Sequence, residues 1–174
     1  AAFNRHGETV DALLARGADV RHRNSRGSTP LHSATYGGSP EVVQALLASG
    51  ADPNARDEDS ATPPMTVGDD GVETLRLLLD RGAEINAQDD RGWTSLVHDA
   101  YWGREARLRT LLQGGPDVNR RTKGGQTALI IATTRGRREI VRVLLRAGAR
   151  ADEKDEDGRT AVDHAEGIRE DKMR

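Results

Sequence analysis

Five histidines, one pair of adjacent carboxylates and five aromatic rings are the groups with which this 174-residue chain could do chemistry. His6, His22, His32, His98 and His164 are scattered, and no His-Glu-x-x-His or Gly-x-Ser-x-Gly pattern gathers any of them into a centre. Asp69-Asp70 supplies two carboxylates, short of the roughly six to eight oxygens that a calcium cage needs. Gly124-Gly125 lacks the following lysine and the strand of a phosphate loop, and Asp163-His164 has no nucleophile in register. The chain contains no cysteine, which removes disulfides, thiol catalysis and thiolate metal sites. No enzyme, cofactor or metal is therefore expected.

The rings and the charges are more informative. Aromatics make up only 3% of the chain, too few to fill a thick globular core. A thin core of Leu, Val, Ile and Ala suits small units that bury a face only against their neighbours. Net charge is −2, so the broad basic footprint of a nucleic-acid binder is missing and none is expected as partner. That total hides an asymmetry. Between Asp52 and Asp90 eleven acidic residues face three arginines, whereas between Arg104 and Arg150 twelve basic residues face three acids. Such a dipolar surface would orient a charged partner; it would equally serve as a solvated exterior. No apolar run is long enough to span a membrane.

What positions these groups is a repeat. Thr29 in Arg26-Gly27-Ser28-Thr29-Pro30-Leu31-His32 is answered by Thr62, Thr94, Thr127 and Thr160, at steps of 33, 32, 33 and 33. Gly17 recurs as Gly50, Gly82, Gly115 and Gly148 with the same steps. Each unit reads as two helices. Asn24-Ser25-Arg26-Gly27 forms a tight turn needing positive φ at Gly. Thr29-Pro30 then caps and opens a first helix, Ser39-Pro40-Glu41 opens a second by the same logic, and Gly50 closes it. Val42, Val43, Leu46 and Leu47 form the buried stripe.

A period near 33 headed by Thr-Pro-Leu-His resembles the ankyrin repeat. The resemblance covers the whole chain. It implies an all-α fold, a solenoid of stacked helix-turn-helix units with projecting hairpin-like loops and almost no sheet. The chain is read as a single domain, 1–174: a partial repeat at 1–24, then 25–57, a divergent repeat at 58–89, 90–122, 123–155, and a capping partial repeat at 156–174. The open front of the first repeat would admit a further repeat or a second subunit. In repeat 58–89, Ser60 replaces the turn glycine, Pro64-Met65 replaces Leu-His, Val67-Gly68 replaces paired alanines, and one residue is missing. A distorted first helix and a local soft spot are expected there, Gly68 alone costing about 1 kcal/mol of helix propensity. In repeat 90–122, Val97 takes the histidine position and Asp99 that of the first alanine.

The resemblance also implies that His32 ties its loop to its helix. It further implies that partner-reading positions lie in the loop ahead of Thr and just before the glycine ending the first helix. All five aromatics, Phe3, Tyr36, Trp93, Tyr101 and Trp102, fall at those positions, and Phe3, Tyr36 and Tyr101 share one of them. Exposed Trp and Tyr are frequent binding hot spots. The reading is therefore a non-catalytic protein-binding module using a concave face of loops and first helices. Trp93, Tyr101 and Trp102 would be its anchor, Tyr36 an extension, and Arg91 and Arg135 its charged rim. The alternative is a structural or regulatory spacer, or a self-associating segment of a larger protein. The expected compartment is the cytoplasm.

Overall fold

The structure, a computed structural model, describes residues 7–37 and 39–171. Phe3, His6 and the paired alanines at the start lie outside the described residues. Two compact units divide the chain, residues 1–90 and 91–174. In the first, α1 (Gly7–Ala15), α3 (Pro40–Ala48) and α5 (Val72–Asp80) form a row of second helices, and α2 (Pro30–Gly37) packs on α4 (Pro63–Thr66) as the row of first helices. In the second, α6 (Ser95–Trp102), α8 (Ala128–Thr134) and α10 (Ala161–Asp171) form the first-helix row, and α7 (Glu105–Gln113) packs on α9 (Arg138–Arg146). Among the described residues there is no strand, and no helix is long and apolar enough to cross a membrane.

The core lies between the two rows. Leu31, Val43, Leu75 and Leu78 seal the first unit, and Leu96, Leu108, Leu111, Leu129 and Leu144 the second. These are the positions of the repeating apolar stripe. Each contributes roughly 1.5–3 kcal/mol of burial, and among the described residues no aromatic belongs to the core.

Loop tips carry the repeat's polar chemistry. At the head of three of the turns one oxygen accepts backbone N–H groups two and four residues on: Asn24 Oδ1 from Arg26 and Ser28, Asp57 Oδ1 from Asp59 and Ala61, Asp155 Oδ1 from Asp157 and Arg159. Successive tips are then joined by one backbone bond. The N–H of Glu58 donates to Arg26 O (3.1 Å), Asp90 to Asp59 O (3.0 Å), Lys123 to Arg91 O (3.0 Å) and Glu156 to Gly124 O (3.4 Å). The turn glycine is needed for two reasons at once. Gly92 has φ 74°, and a Cβ there would sit 2.7 Å from the Lys123 nitrogen that makes the joining bond. Ser60 holds the same left-handed conformation at φ 59°, its hydroxyl bonded to Asp90 Oδ1 at 2.7 Å, so the divergent repeat keeps its tip.

Behind the tips, side-chain amides bridge repeats. Asn54 donates through Nδ2 to Gly82 O (3.0 Å) and accepts at Oδ1 from the Glu84 N–H (2.7 Å). Asn119 does the same with Gly148 O (3.4 Å) and the Arg150 N–H (2.8 Å).

The first helices start as their sequence dictates, with variations. Thr94 and Thr127 hydroxyls accept from the N–H groups of Val97 and Ile130, both at 3.3 Å, each cap contributing about 1 kcal/mol. His32 makes the tie expected of it. Its Nδ1 accepts from the Thr29 N–H (3.2 Å) with the Thr29 hydroxyl 2.9 Å away, and Nε2–H donates to Ala61 O (3.1 Å). In the divergent repeat the Thr29 N–H bond becomes a weaker one, from the Thr62 N–H to Met65 Sδ at 3.5 Å, and α4 spans a single turn. That is the expected distortion. Ser39 departs from the capping logic expected of it: its hydroxyl donates to Glu41 Oε2 (3.1 Å) and caps no backbone N–H.

Candidate functional site

The second unit assembles the rings of repeat 90–122. Trp93 follows the turn glycine of its tip, and Tyr101 and Trp102 end α6, where Gly103 (φ 79°) stops the helix. His98 precedes Tyr101 by about one helical turn. The rings form a chain of tilted and edge-on contacts. Trp93 lies 5.1 Å from His98 (65° between planes) and 5.2 Å from Tyr101 (50°), and Tyr101 lies 5.0 Å from Trp102 (77°). Those separations and tilts are the favoured ones for aromatic pairs, about 0.5–1.5 kcal/mol each beyond burial. His98 was absent from the sequence-derived set; its single-turn spacing from Tyr101 was the available signal.

Guanidinium groups cover ring faces. Arg91 Cζ is 4.4 Å from the Trp93 centroid, Arg135 Cζ 3.9 Å from that of Tyr101, and Arg104 Cζ 5.8 Å from that of Trp102. All lie within cation–π reach. Arg135 also donates to the Tyr101 hydroxyl at 2.6 Å, and Arg137 Nε donates to the Tyr101 carbonyl at 3.3 Å. Tyr101 thus fixes the turn Arg135-Gly136-Arg137 of the next repeat. Trp93 and Tyr101 are half-buried, Arg91 and Arg135 exposed, and Trp102 remains 55% accessible. Tyr36, at the same repeat position as Tyr101, is 66% accessible in the first unit. The five described residues of the second unit named from sequence, Arg91, Trp93, Tyr101, Trp102 and Arg135, therefore meet in one patch, and Tyr36 belongs to the first unit.

Beneath the patch lies a pair that the repeat pattern conceals. Asp99 on α6 and Arg107 on α7 are fully buried, with Arg107 Nη2 3.1 Å from Asp99 Oδ1. They occupy the positions of Ala132 and Ile140 in the following repeat. The second-helix arginines Arg109 and Arg142 are exposed, whereas Arg107 turns inward.

Two further chemistry candidates, His164 and Asp163, have structural employment. His164 Nε2 is 2.7 Å from Asp155 Oδ2, joining α10 to the last tip. Asp163 Oδ2 accepts from the Thr160 N–H and hydroxyl, both at 2.7 Å, closing the start of α10. Among the described residues no three His, Asp or Glu side chains lie close enough to hold a metal ion.

Comparison with known families gives one match, to the family model described as "Ankyrin repeats (3 copies)", over residues 1–57, 36–122, 65–155 and 100–170. No curated protein matches the chain significantly in sequence.

Proposed function

From the premise that this chain belongs to the ankyrin repeat family, whose members are generally protein–protein interaction modules and typically non-catalytic adaptors, we propose that it binds a partner protein through its tips and first helices. The anchor is Trp93, Tyr101 and Trp102, with Arg91 and Arg135 at the rim and Tyr36 as an extension on the first unit. One observation carries this reading. Among the described residues no aromatic belongs to the core, yet three rings meet in a chain of contacts that ends at the surface. An indole left 55% accessible, as Trp102 is, is a cost in water unless something covers it. Because neighbouring repeats and guanidiniums already hold the rings, little ordering entropy opposes association.

The test is affinity capture from the source cell with the purified chain, run beside Trp93→Ala/Trp102→Ala. A partner lost with the double variant supports the assignment; Trp102→Ala alone should weaken that partner by roughly 2 kcal/mol with helicity unchanged. A partner bound equally by both proteins would refute it.

A further inference from the structure

Resting on the patch just described, one further property follows from how its charges are held. In the second unit most arginines that make side-chain contacts are neutralised. Arg107 pairs with Asp99, Arg109 with Glu105, Arg121 and Arg150 with Glu153, and Arg142 with Glu139. Arg135 and Arg137 differ. Their bonds run to the hydroxyl and the carbonyl oxygen of Tyr101, and among the described residues neither is ion-paired with a carboxylate. Both are exposed. Two full positive charges are thus oriented by one tyrosine, beside an accessible indole, with only neutral oxygens to satisfy them. A carboxylate can accept two parallel N–H bonds from one guanidinium, which a lone neutral oxygen cannot, so both groups retain the capacity for an anionic partner.

We propose that this patch takes a short acidic peptide segment of the partner protein, whose carboxylates bond Arg135 and Arg137 while an adjacent apolar side chain lies on Trp102. Charge complementarity favours this occupant, since residues 91–174 hold eighteen basic against thirteen acidic side chains. A nucleic acid fits less well. Bases need open ring faces, and those of Trp93 and Tyr101 each carry a guanidinium.

The test uses the whole chain and three probes followed by tryptophan fluorescence: a short peptide of alternating glutamate and leucine, its glutamine-for-glutamate counterpart, and oligo(dT). The glutamate peptide should bind and weaken with added salt. Arg135→Gln/Arg137→Gln should lose at least about tenfold in affinity with the helical circular-dichroism signal retained, the midpoint falling only by what the Tyr101 contacts contribute. Equal binding of the glutamine peptide, tighter binding of oligo(dT), no binding of the glutamate peptide, or an indifferent double arginine variant would each overturn the proposal. The two readings fail separately. If a captured partner depends on Trp93 and Trp102 but ignores Arg135→Gln/Arg137→Gln, protein binding stands and the acidic segment falls.

Discussion

Breaking the Asp99–Arg107 pair should be among the most damaging single changes available to this protein, and removing both members should be nearly harmless. Both side chains are 0% accessible, and the atoms that meet are 3.1 Å apart. In Asp99→Ala the Arg107 guanidinium stays at the α6–α7 junction without its anion, a loss of roughly 3–5 kcal/mol. Arg107→Ile strands the carboxylate with a similar expected loss. The double variant Asp99→Ala/Arg107→Ile installs the pair that the next repeat already buries at Ala132 and Ile140. The void left by the shorter side chain costs on the order of 1 kcal/mol or more, and the vanished desolvation cost offsets it. The double variant should therefore lie within about 1 kcal/mol of the parent, giving an interaction energy of at least ~4 kcal/mol. Urea unfolding followed by circular dichroism, at low and high salt, measures all four corners of the cycle. Because the pair is dry, salt should scarcely move the result. Additive single effects, or an Asp99→Ala that costs less than about 1 kcal/mol, would refute the reasoning.

Gly92→Ala should cost about 2 kcal/mol in the same assay, since the methyl meets the Lys123 nitrogen at 2.7 Å and the residue must stay at φ 74°. Burial, above all, pushes the His32 imidazole below its ordinary 6.5, against smaller opposing effects of the Ala61 carbonyl and Asp57. The neutral ring's contribution is therefore complete above pH 6.5 and lost as pH falls toward the folded value; His32→Gln should flatten that slope in urea midpoints taken between pH 7.5 and 5. At Asp155 burial would raise the carboxyl, but the His164 hydrogen bond and the Arg159 and Asp157 N–H groups outweigh it and hold it below 3.8. A second loss should then begin under about pH 3.8, and Asp155→Asn should remove it. Hydrogen exchange should open the amides of residues 65–68 at least about tenfold faster than those of α2, because α4 is one turn with a thioether where α2 has an imidazole; equal protection would contradict the soft-spot reading.

How much of this was legible without coordinates depends on the range of the interaction. The period of 33 located every turn and helix start, because those depend on residues a few positions apart. It gave Thr94 and Thr127 as caps and His32 as a tie. It also put the rings outside, since Trp93, Tyr101 and Trp102 avoid the Leu and Val positions. Contacts between repeats were legible only where they recur. Arg135 stands 34 residues beyond Tyr101, so one period brought them near each other, but nothing in the sequence said that its guanidinium would lie on the ring. Asp99 and Arg107 were opaque for a sharper reason. Each is a polar departure at a conserved-type apolar position, and read singly each looks like an exposed exception. Only the reversal between α6 and α7 makes them partners. Ser39 shows the converse: a residue of the right type for a cap was claimed by the nearer carboxylate of Glu41.

The amide bridges of Asn54 and Asn119 set a chemical clock on the molecule. Hydrolytic loss of ammonia from either side chain, the slow fate of asparagine in ageing proteins, would exchange the donating nitrogen for an anionic oxygen aimed at the carbonyl of Gly82 or Gly148. Attraction would become repulsion at a joint between successive repeats. An old preparation of this protein should thus loosen from within its joints while its helices remain intact.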